Sequence, residues 1–69
     1  MDIKTKVGKR IREIREAANM SQKNLAYSAD IDRSYLASVE NGQRNISIVN
    51  LEKISIALGV TLNELFKGI

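Results

Sequence analysis

Four side chains in the middle of the chain combine a guanidinium, two hydroxyls and a methyl group at helical spacing. They are Arg33, Ser34, Ala37 and Ser38. Residues three and four apart are neighbours on a helix surface, so the four share one face, opposite Leu36 and Val39. A face meant only for solvation usually carries Glu and Lys, whereas this one can approach a flat surface closely and bond to it. An ordinary amphipathic helix pair in a small bundle fits the same periodicity.

Catalytic and metal-binding chemistry have few candidate residues. The chain has no His and no Cys, which removes the common nucleophile–base pairs and metal-ligand sets. Glu13 and Glu16 lie on a basic, solvated helix and are poor candidates for a paired acid and base. Gly8-Lys9 lacks the glycine spacing and the preceding strand of a phosphate loop. The sequence therefore predicts a protein that is not an enzyme and that uses no metal, cofactor or small-molecule ligand.

The four side chains belong to a central segment, Ser21 to Gly42, that predicts two short helices joined by a tight turn. Ser21 and Asp32 are suitable N-caps for the two helices, because a short side-chain oxygen can accept an unpaired amide of the first turn. Asp30 lies in the turn between them. Gly42 follows the second helix, where glycine commonly ends one.

Helical periodicity also extends through the flanking segments. A first helix is predicted from about Ile3 to Ala18, and a fourth from Ile48 to Leu58 with Ser47 as its cap. Thr61 and Glu64 have the spacing of a capping box, which opens a short last helix. The prediction is one all-α domain of five helices over residues 1–69.

Basic residues are concentrated at the start of the chain. The 69 residues include 11 Lys or Arg and 8 Asp or Glu, giving a net charge of +3. Six of the basic residues fall within the first 15 positions, a distribution that suits a polyanion such as nucleic acid. A solvated helix face has a similar composition. No apolar run reaches the length of a membrane span, so a soluble cytoplasmic protein without a membrane partner is expected.

The central segment resembles the helix-turn-helix of phage-repressor and Cro-type (XRE-type) DNA-binding proteins. The matching residues are Gln22, Leu25-Ala26, Ile31, Arg33-Ser34-Tyr35-Leu36 and Val39-Glu40-Asn41-Gly42. The stretch DRSYLASVENGQRNIS is similar to restriction-modification controller proteins within that superfamily. Asp30 departs from the usual turn glycine, but Asp tolerates a left-handed conformation better than most residues. The resemblance covers about residues 7–66 and implies a lambda-repressor-like fold with its helix-turn-helix at about residues 21–42.

The resemblance also implies roles for individual residues on double-stranded DNA. Base readout falls to Arg33, Ser34, Ala37 and Ser38, with the Arg33 guanidinium donating twice to the acceptor edge of guanine. Contacts with the DNA backbone fall to Gln22, Tyr35, Asn41, Gln43, Arg44 and Asn45. Arg15 and Glu40 are implied to form a structural ion pair rather than a DNA contact.

Helices four and five carry more apolar residues than one buried stripe needs. The surplus predicts a homodimer interface formed by Ile56, Leu62, Phe66 and Ile69. Single exposed hydrophobic residues are also common on monomers. A chain of this length without disulfides has a marginal core, and oligomerisation adds buried surface.

Together these observations predict a sequence-specific transcription regulator acting as a homodimer on a pseudo-palindromic operator. Such a protein would work at the nucleoid of a prokaryote or phage-infected cell, for example as the controller protein of a restriction-modification system. One alternative on the same scaffold is an antitoxin-type or phage Cro-like repressor. An alternative of another class is a helical protein-interaction module without DNA binding.

Overall fold

The computed structural model describes residues 2–69, which form five α-helices and no strand. In chain order the helices are α1 (Ile3–Ala17), α2 (Gln22–Ala29), α3 (Arg33–Glu40), α4 (Ile48–Leu58) and α5 (Leu62–Leu65). Met1, which the predicted domain includes, lies outside the described residues. The predicted all-α architecture of five helices is confirmed.

Local hydrogen bonds from hydroxyl caps determine where α2 and α4 begin. The Ser21 Oγ accepts from the Asn24 amide at 3.0 Å, and the Ser47 Oγ accepts from the Asn50 amide at 3.1 Å. Each bond satisfies a first-turn amide that has no partner within its helix. Both caps lie where the sequence predicts them, because this type of bond spans only three residues.

The one-turn helix α5 is held at both of its ends. Thr61 and Glu64 satisfy each other's amides at 3.0 Å, which completes the predicted capping box. The hydrogen bonds from Thr61 hold the pKa of the Glu64 carboxyl below its usual value. At the other end, Arg10 of α1 donates from Nε to the Leu65 carbonyl at 3.1 Å and from Nη2 to the Glu64 carbonyl at 2.8 Å. A helix of four residues therefore persists through side chains outside its own backbone ladder.

The turn between α2 and α3 differs in one detail from the prediction. Asp30 has the expected left-handed conformation, with φ of 55°. Asp32 occupies the N-cap position of α3, but its side chain makes no capping bond to the backbone. Its carboxylate instead accepts from the Ser34 hydroxyl at 2.9 Å. The expected cap is thus replaced by a bond between two exposed side chains.

Each helix contributes at least one fully buried aliphatic side chain to a single core. These are Ile11, Leu25, Leu36, Ile54 and Leu65, one from each helix in order, and α3 adds Val39. Burying a side chain of this size contributes roughly 1.5–3 kcal/mol. Helix α1 packs on α3 and α2 packs on α4, so α3 is supported from behind by the first helix.

Candidate nucleic-acid interface

The outward strip of α3 begins at its exposed N-terminal end. Arg33 and Ser34 are exposed, whereas Ala37 and Ser38 are half-buried farther along the same face. The inward face contains Leu36, which is fully buried. The structure therefore brings together all four residues predicted to read bases, with the guanidinium at the tip of the helix. Side chains near the start of a recognition helix are the ones that reach base edges.

Intramolecular bonds decide how the two hydroxyls on this strip can bond to a partner. The Ser34 Oγ donates to Asp32 Oδ2 at 2.9 Å, and the Ser38 Oγ donates to the Ser34 carbonyl at 3.0 Å. A hydroxyl has one proton and two lone pairs. Both serines therefore present acceptors outward, and Arg33 is the donor of the strip.

The C-terminal end of α3 is anchored by an ion pair inside the protein. Arg15 Nε donates to Glu40 Oε2 at 2.8 Å, and Arg15 Nη2 donates to Glu40 Oε1 at 3.0 Å. The side chains are only 10% and 1% exposed, respectively. Hydrogen bonding to Glu40 raises the pKa of the Arg15 guanidinium above its usual value, although burial acts in the opposite direction. The guanidinium therefore stays charged and is fixed within the fold.

Two glycines allow α1 to approach the same end of α3 closely. A Cβ on Gly8 would overlap the carbonyl oxygen of Val39 and lie 2.9 Å from that of Glu40. Gly42 has φ of 75°, and a Cβ there would lie 2.7 Å from Thr5 Oγ1. Gly8 lies inside α1 and is buried. The structure shows that its missing side chain sets the distance between the two helices.

The residues predicted to contact the DNA backbone lie at the start of α2, on α3 and in the loop after α3. Gln22 begins α2 and donates from Nε2 to Glu40 Oε1 at 3.0 Å. Tyr35 is half-buried at the edge of α3. The loop after α3 supplies the remaining four, all of them exposed: Asn41, Gln43, Arg44 and Asn45.

Tyr35 is held by one residue of this loop and by one residue of the first turn of α4. Its hydroxyl accepts from Asn50 Nδ2 at 3.2 Å, and the Arg44 guanidinium lies 5.5 Å from the centre of its ring. The accepting role leaves the phenolic proton free to donate. Asn50 was not among the predicted site residues. Its position in the first turn of α4 indicated only a helix start, and no periodic signal pairs it with Tyr35.

Three of the six basic residues in the first 15 positions bond to other groups of the protein. Arg15 is paired with Glu40, Arg10 binds the end of α5, and Arg12 Nε lies 3.4 Å from Glu16 Oε2. These arginines are therefore weaker candidates for phosphate contacts than their charge alone suggests. Arg10 and Arg15 thus serve contacts between helices.

The four apolar residues predicted for a dimer interface on α4, α5 and the following residues differ in exposure. Ile56 is 72% exposed and Ile69 is 41% exposed, whereas Leu62 and Phe66 are half-buried against the core. Phe66 lines an apolar groove between α1 and the loop after α3. The first turn of α4 adds Ile48 and Val49, which are 78% and 64% exposed. Val49 and Ile56 are seven residues apart and therefore share one helix face.

No group of acidic residues in the described part of the chain could hold a metal ion. Within residues 2–69, no helix combines the length and apolar character needed to cross a membrane.

Comparison with known proteins finds the same fold and similar sequences. A family profile described as "Helix-turn-helix" matches residues 11–65. The control protein C.MunI from a Mycoplasma species is 51% identical over 69 residues, which cover 99% of this chain and 93% of that protein. The crystal structure of the restriction-modification controller protein C.AhdI from Aeromonas hydrophila superposes with a TM-score of 0.89. The two are 48% identical, and the match covers 91% of this chain and 96% of C.AhdI.

A third relative is longer than this chain. The immunity repressor protein of Bacillus phage phi105 is 40% identical over 57 residues, which cover 83% of this chain but 40% of the repressor. The match is therefore to one part of that protein.

Proposed function

Since this chain belongs to the helix-turn-helix family of transcription regulators, we propose that it binds a pseudo-palindromic operator as a homodimer and controls a restriction-modification system. Proteins of this family are regulators rather than enzymes, which confirms the prediction that the chain is not an enzyme. The observation that supports operator binding best is the outward strip of α3, which is exposed at its tip and anchored at its far end. The high identity to C.MunI supports the controller role over the phage-repressor alternative.

In this proposal Arg33 reads a guanine in the major groove by donating two hydrogen bonds to O6 and N7. Ser34 and Ser38 accept from base amino groups, because Ser34 already donates its proton to Asp32 and Ser38 donates its own to the Ser34 carbonyl. Ala37 offers its methyl group to a thymine methyl. Base readout then combines one donor, two acceptors and one apolar contact along a single helix face.

The DNA backbone is gripped on both sides of this face. Gln22 reaches one phosphate from the start of α2, where the positive end of the helix favours an anion. Tyr35 donates its free phenolic proton to a second phosphate. The exposed loop after α3 contacts the neighbouring DNA strand through Asn41, Gln43, Arg44 and Asn45. These contacts fix the position of the protein and do not read sequence.

The dimer forms through the exposed apolar face of α4, with Ile48, Val49 and Ile56 as its main contacts. Ile69, which is 41% exposed, remains a predicted contact. Leu62 and Phe66, the other two residues of the predicted interface, are half-buried against the core and contribute less to the contact. A two-fold dimer places two recognition helices about 34–36 Å apart, one turn of DNA, and so reads two half-sites.

The proposed symmetry is tested by selecting bound sequences from random double-stranded DNA with the wild-type protein. We expect a consensus of two inverted half-sites about one helical turn apart. A single half-site would contradict the dimer, and the absence of salt-dependent DNA binding would favour the protein-interaction alternative. A neighbouring restriction-methylation gene pair would separate a controller from an antitoxin-type or Cro-like repressor.

The proposed interface is tested by Ile56→Asp, which puts a charge into the exposed apolar face of α4. We expect sedimentation equilibrium to show a folded monomer with weakened operator binding. Tyr27→Asp is the matched control, because Tyr27 is an exposed hydrophobic residue (88%) on α2, outside the proposed interface. A dimeric Ile56→Asp variant with full operator affinity would place the interface elsewhere.

A further inference from the structure

The side chain that begins α2 is bonded to the side chain that ends α3. Gln22 Nε2 donates to Glu40 Oε1 at 3.0 Å. The same oxygen accepts from Arg15 Nη2 at 3.0 Å, and the other carboxylate oxygen accepts from Arg15 Nε at 2.8 Å. The third guanidinium nitrogen, Nη1, donates to the Met20 carbonyl at 2.8 Å. One network therefore joins α1, the turn before α2, and the facing ends of α2 and α3.

The acceptor of the Gln22 amide cannot move with respect to the fold. Two parallel bonds from Arg15 hold the Glu40 carboxylate, and a bond to a backbone carbonyl holds the guanidinium in turn. Glutamine is among the side chains with the most rotamer freedom, so ordering it during binding costs conformational entropy. A fixed acceptor selects one orientation of Gln22 before any partner binds.

The charge of Arg15 makes this arrangement compatible with a polyanion. A carboxylate close to a phosphate contact would repel DNA if no positive charge compensated it. The bidentate guanidinium compensates that charge where the pair is buried. The Gln22 amide nitrogen has two protons and gives one to Glu40. Its second proton remains available to a phosphate oxygen.

We propose that Glu40 is a positioning residue for DNA, orienting the Gln22 amide so that its second proton points at a phosphate of the operator. This rests on the proposed function. Gln22 is the first residue of α2 and Glu40 is the last residue of the recognition helix. The bond therefore fixes the grip on the DNA backbone relative to the helix that reads the bases. The ion pair serves binding as well as stability.

The test compares the effect of Gln22→Ala in two backgrounds. One background is the wild type, and the other is Arg15→Met/Glu40→Leu, which replaces a buried ion pair by apolar residues, often at little cost in stability. The probe is a duplex carrying the consensus that the wild-type protein selects from random DNA. Urea unfolding of each variant ensures that affinities are compared per folded molecule.

In the wild-type background we expect Gln22→Ala to weaken binding about tenfold, which corresponds to about 1.4 kcal/mol, because a hydrogen bond to a charged phosphate is lost. In the apolar background the same change should weaken binding about twofold or less, since the amide is no longer oriented. Gln43 is the other glutamine of the chain and makes no bond to Glu40, so it is the matched control. Gln43→Ala should cost the same factor in both backgrounds.

An equal loss for Gln22→Ala in both backgrounds would overturn the proposal while leaving operator binding intact. A wild-type protein that binds no DNA would instead remove the proposed function. If the apolar background does not fold, ¹⁵N relaxation of the two glutamine side chains in the free wild-type protein decides the question. We expect Gln22 Nε2 to be ordered and Gln43 Nε2 to be mobile, and equal mobility would overturn the proposal.

Discussion

At its C-terminal end, α3 is held by Glu40, whose carboxylate is bonded to Arg15 inside the protein, and by the close approach of Gly8. At its N-terminal end, Arg33 and Ser34 lie in solvent. Both ends belong to the same eight-residue helix. The buried end determines where the helix lies relative to the core. The exposed end is free to carry whichever side chains a particular DNA sequence requires.

This difference separates two kinds of substitution. Changes at the buried end should act on folding and on the position of the whole helix, because a rigid support is what holds a binding group in place. Changes at the exposed end should act on DNA binding and leave stability within about 0.5 kcal/mol of the wild type.

The largest expected effect is that of Glu40→Ala. Removing one partner of a buried pair leaves a buried charge uncompensated, so the free energy of unfolding should fall by about 3–5 kcal/mol. Glu16→Ala is the control, because its partner Arg12 is on the same helix but both side chains are 57% exposed. It should cost under about 1 kcal/mol. Urea unfolding measures both, and equal losses would show that the buried end does not depend on the ion pair.

The next largest effect is that of Gly8→Ala, where the sign of the change in stability is informative. Alanine normally stabilises a helix interior by about 1 kcal/mol relative to glycine. Here the new Cβ meets the Val39 carbonyl, and overpacking of this kind costs about 1–3 kcal/mol. Thermal unfolding should show a destabilised variant whose operator affinity is also reduced. Gly59→Ala is the control: its Cβ would meet no atom, so only its left-handed backbone resists the change. A stabilised Gly8→Ala would show that α1 can move away from α3.

Arg33→Ala tests the exposed end. Loss of the two hydrogen bonds to guanine should cost about 1–3 kcal/mol on the cognate site and relax preference at one base pair of each half-site. Unfolding by urea should be unchanged. Binding titrations on cognate and random duplexes measure the difference, and an equal loss on both would remove Arg33 from base readout.

Arg44→Ala should have the smallest effect. A phosphate contact does not read sequence, so binding should weaken evenly on all duplexes. The slope of log K against log salt should become shallower by about 0.9 for each phosphate that Arg44 neutralises in the wild type. Titrations over a salt series measure it. A slope equal to that of the wild type would mean that Arg44 serves mainly to hold Tyr35.

Helix positions could be predicted because the signals that determine them are local. Ser21, Ser47 and the Thr61–Glu64 box each bond across three residues, so residue type and spacing suffice. The bond from Arg10 to Leu65 spans 55 residues and has no local signal. The failure of Asp32 to cap α3 shows the limit even of local patterns, because a neighbouring hydroxyl competes for its carboxylate.

The candidate site divides in the same way. The spacing of Arg33 and its neighbours was sufficient to define the outward strip. The Arg15–Glu40 pair spans 25 residues and could be expected only from resemblance to a known fold. Phe66 was predicted at the interface because it is apolar, and its half-burial against the core depends on tertiary packing that periodicity does not contain. The exposure of Ile48 and Val49 depends on the same packing, so the sequence alone did not add them to the proposed interface.

The short helix α5 has a consequence for the way the chain opens. A helix of only four residues would ordinarily fray, and its amides would exchange rapidly with solvent. Leu65, however, is fully buried, and its amide bonds to the Thr61 carbonyl at 2.9 Å. The helix cannot detach without uncovering the core and breaking the Arg10 bonds to its last carbonyls. The Leu65 amide should therefore exchange with deuterium about as slowly as those of Ile11 and Ile54, which makes the last turn of the chain a reporter of global unfolding.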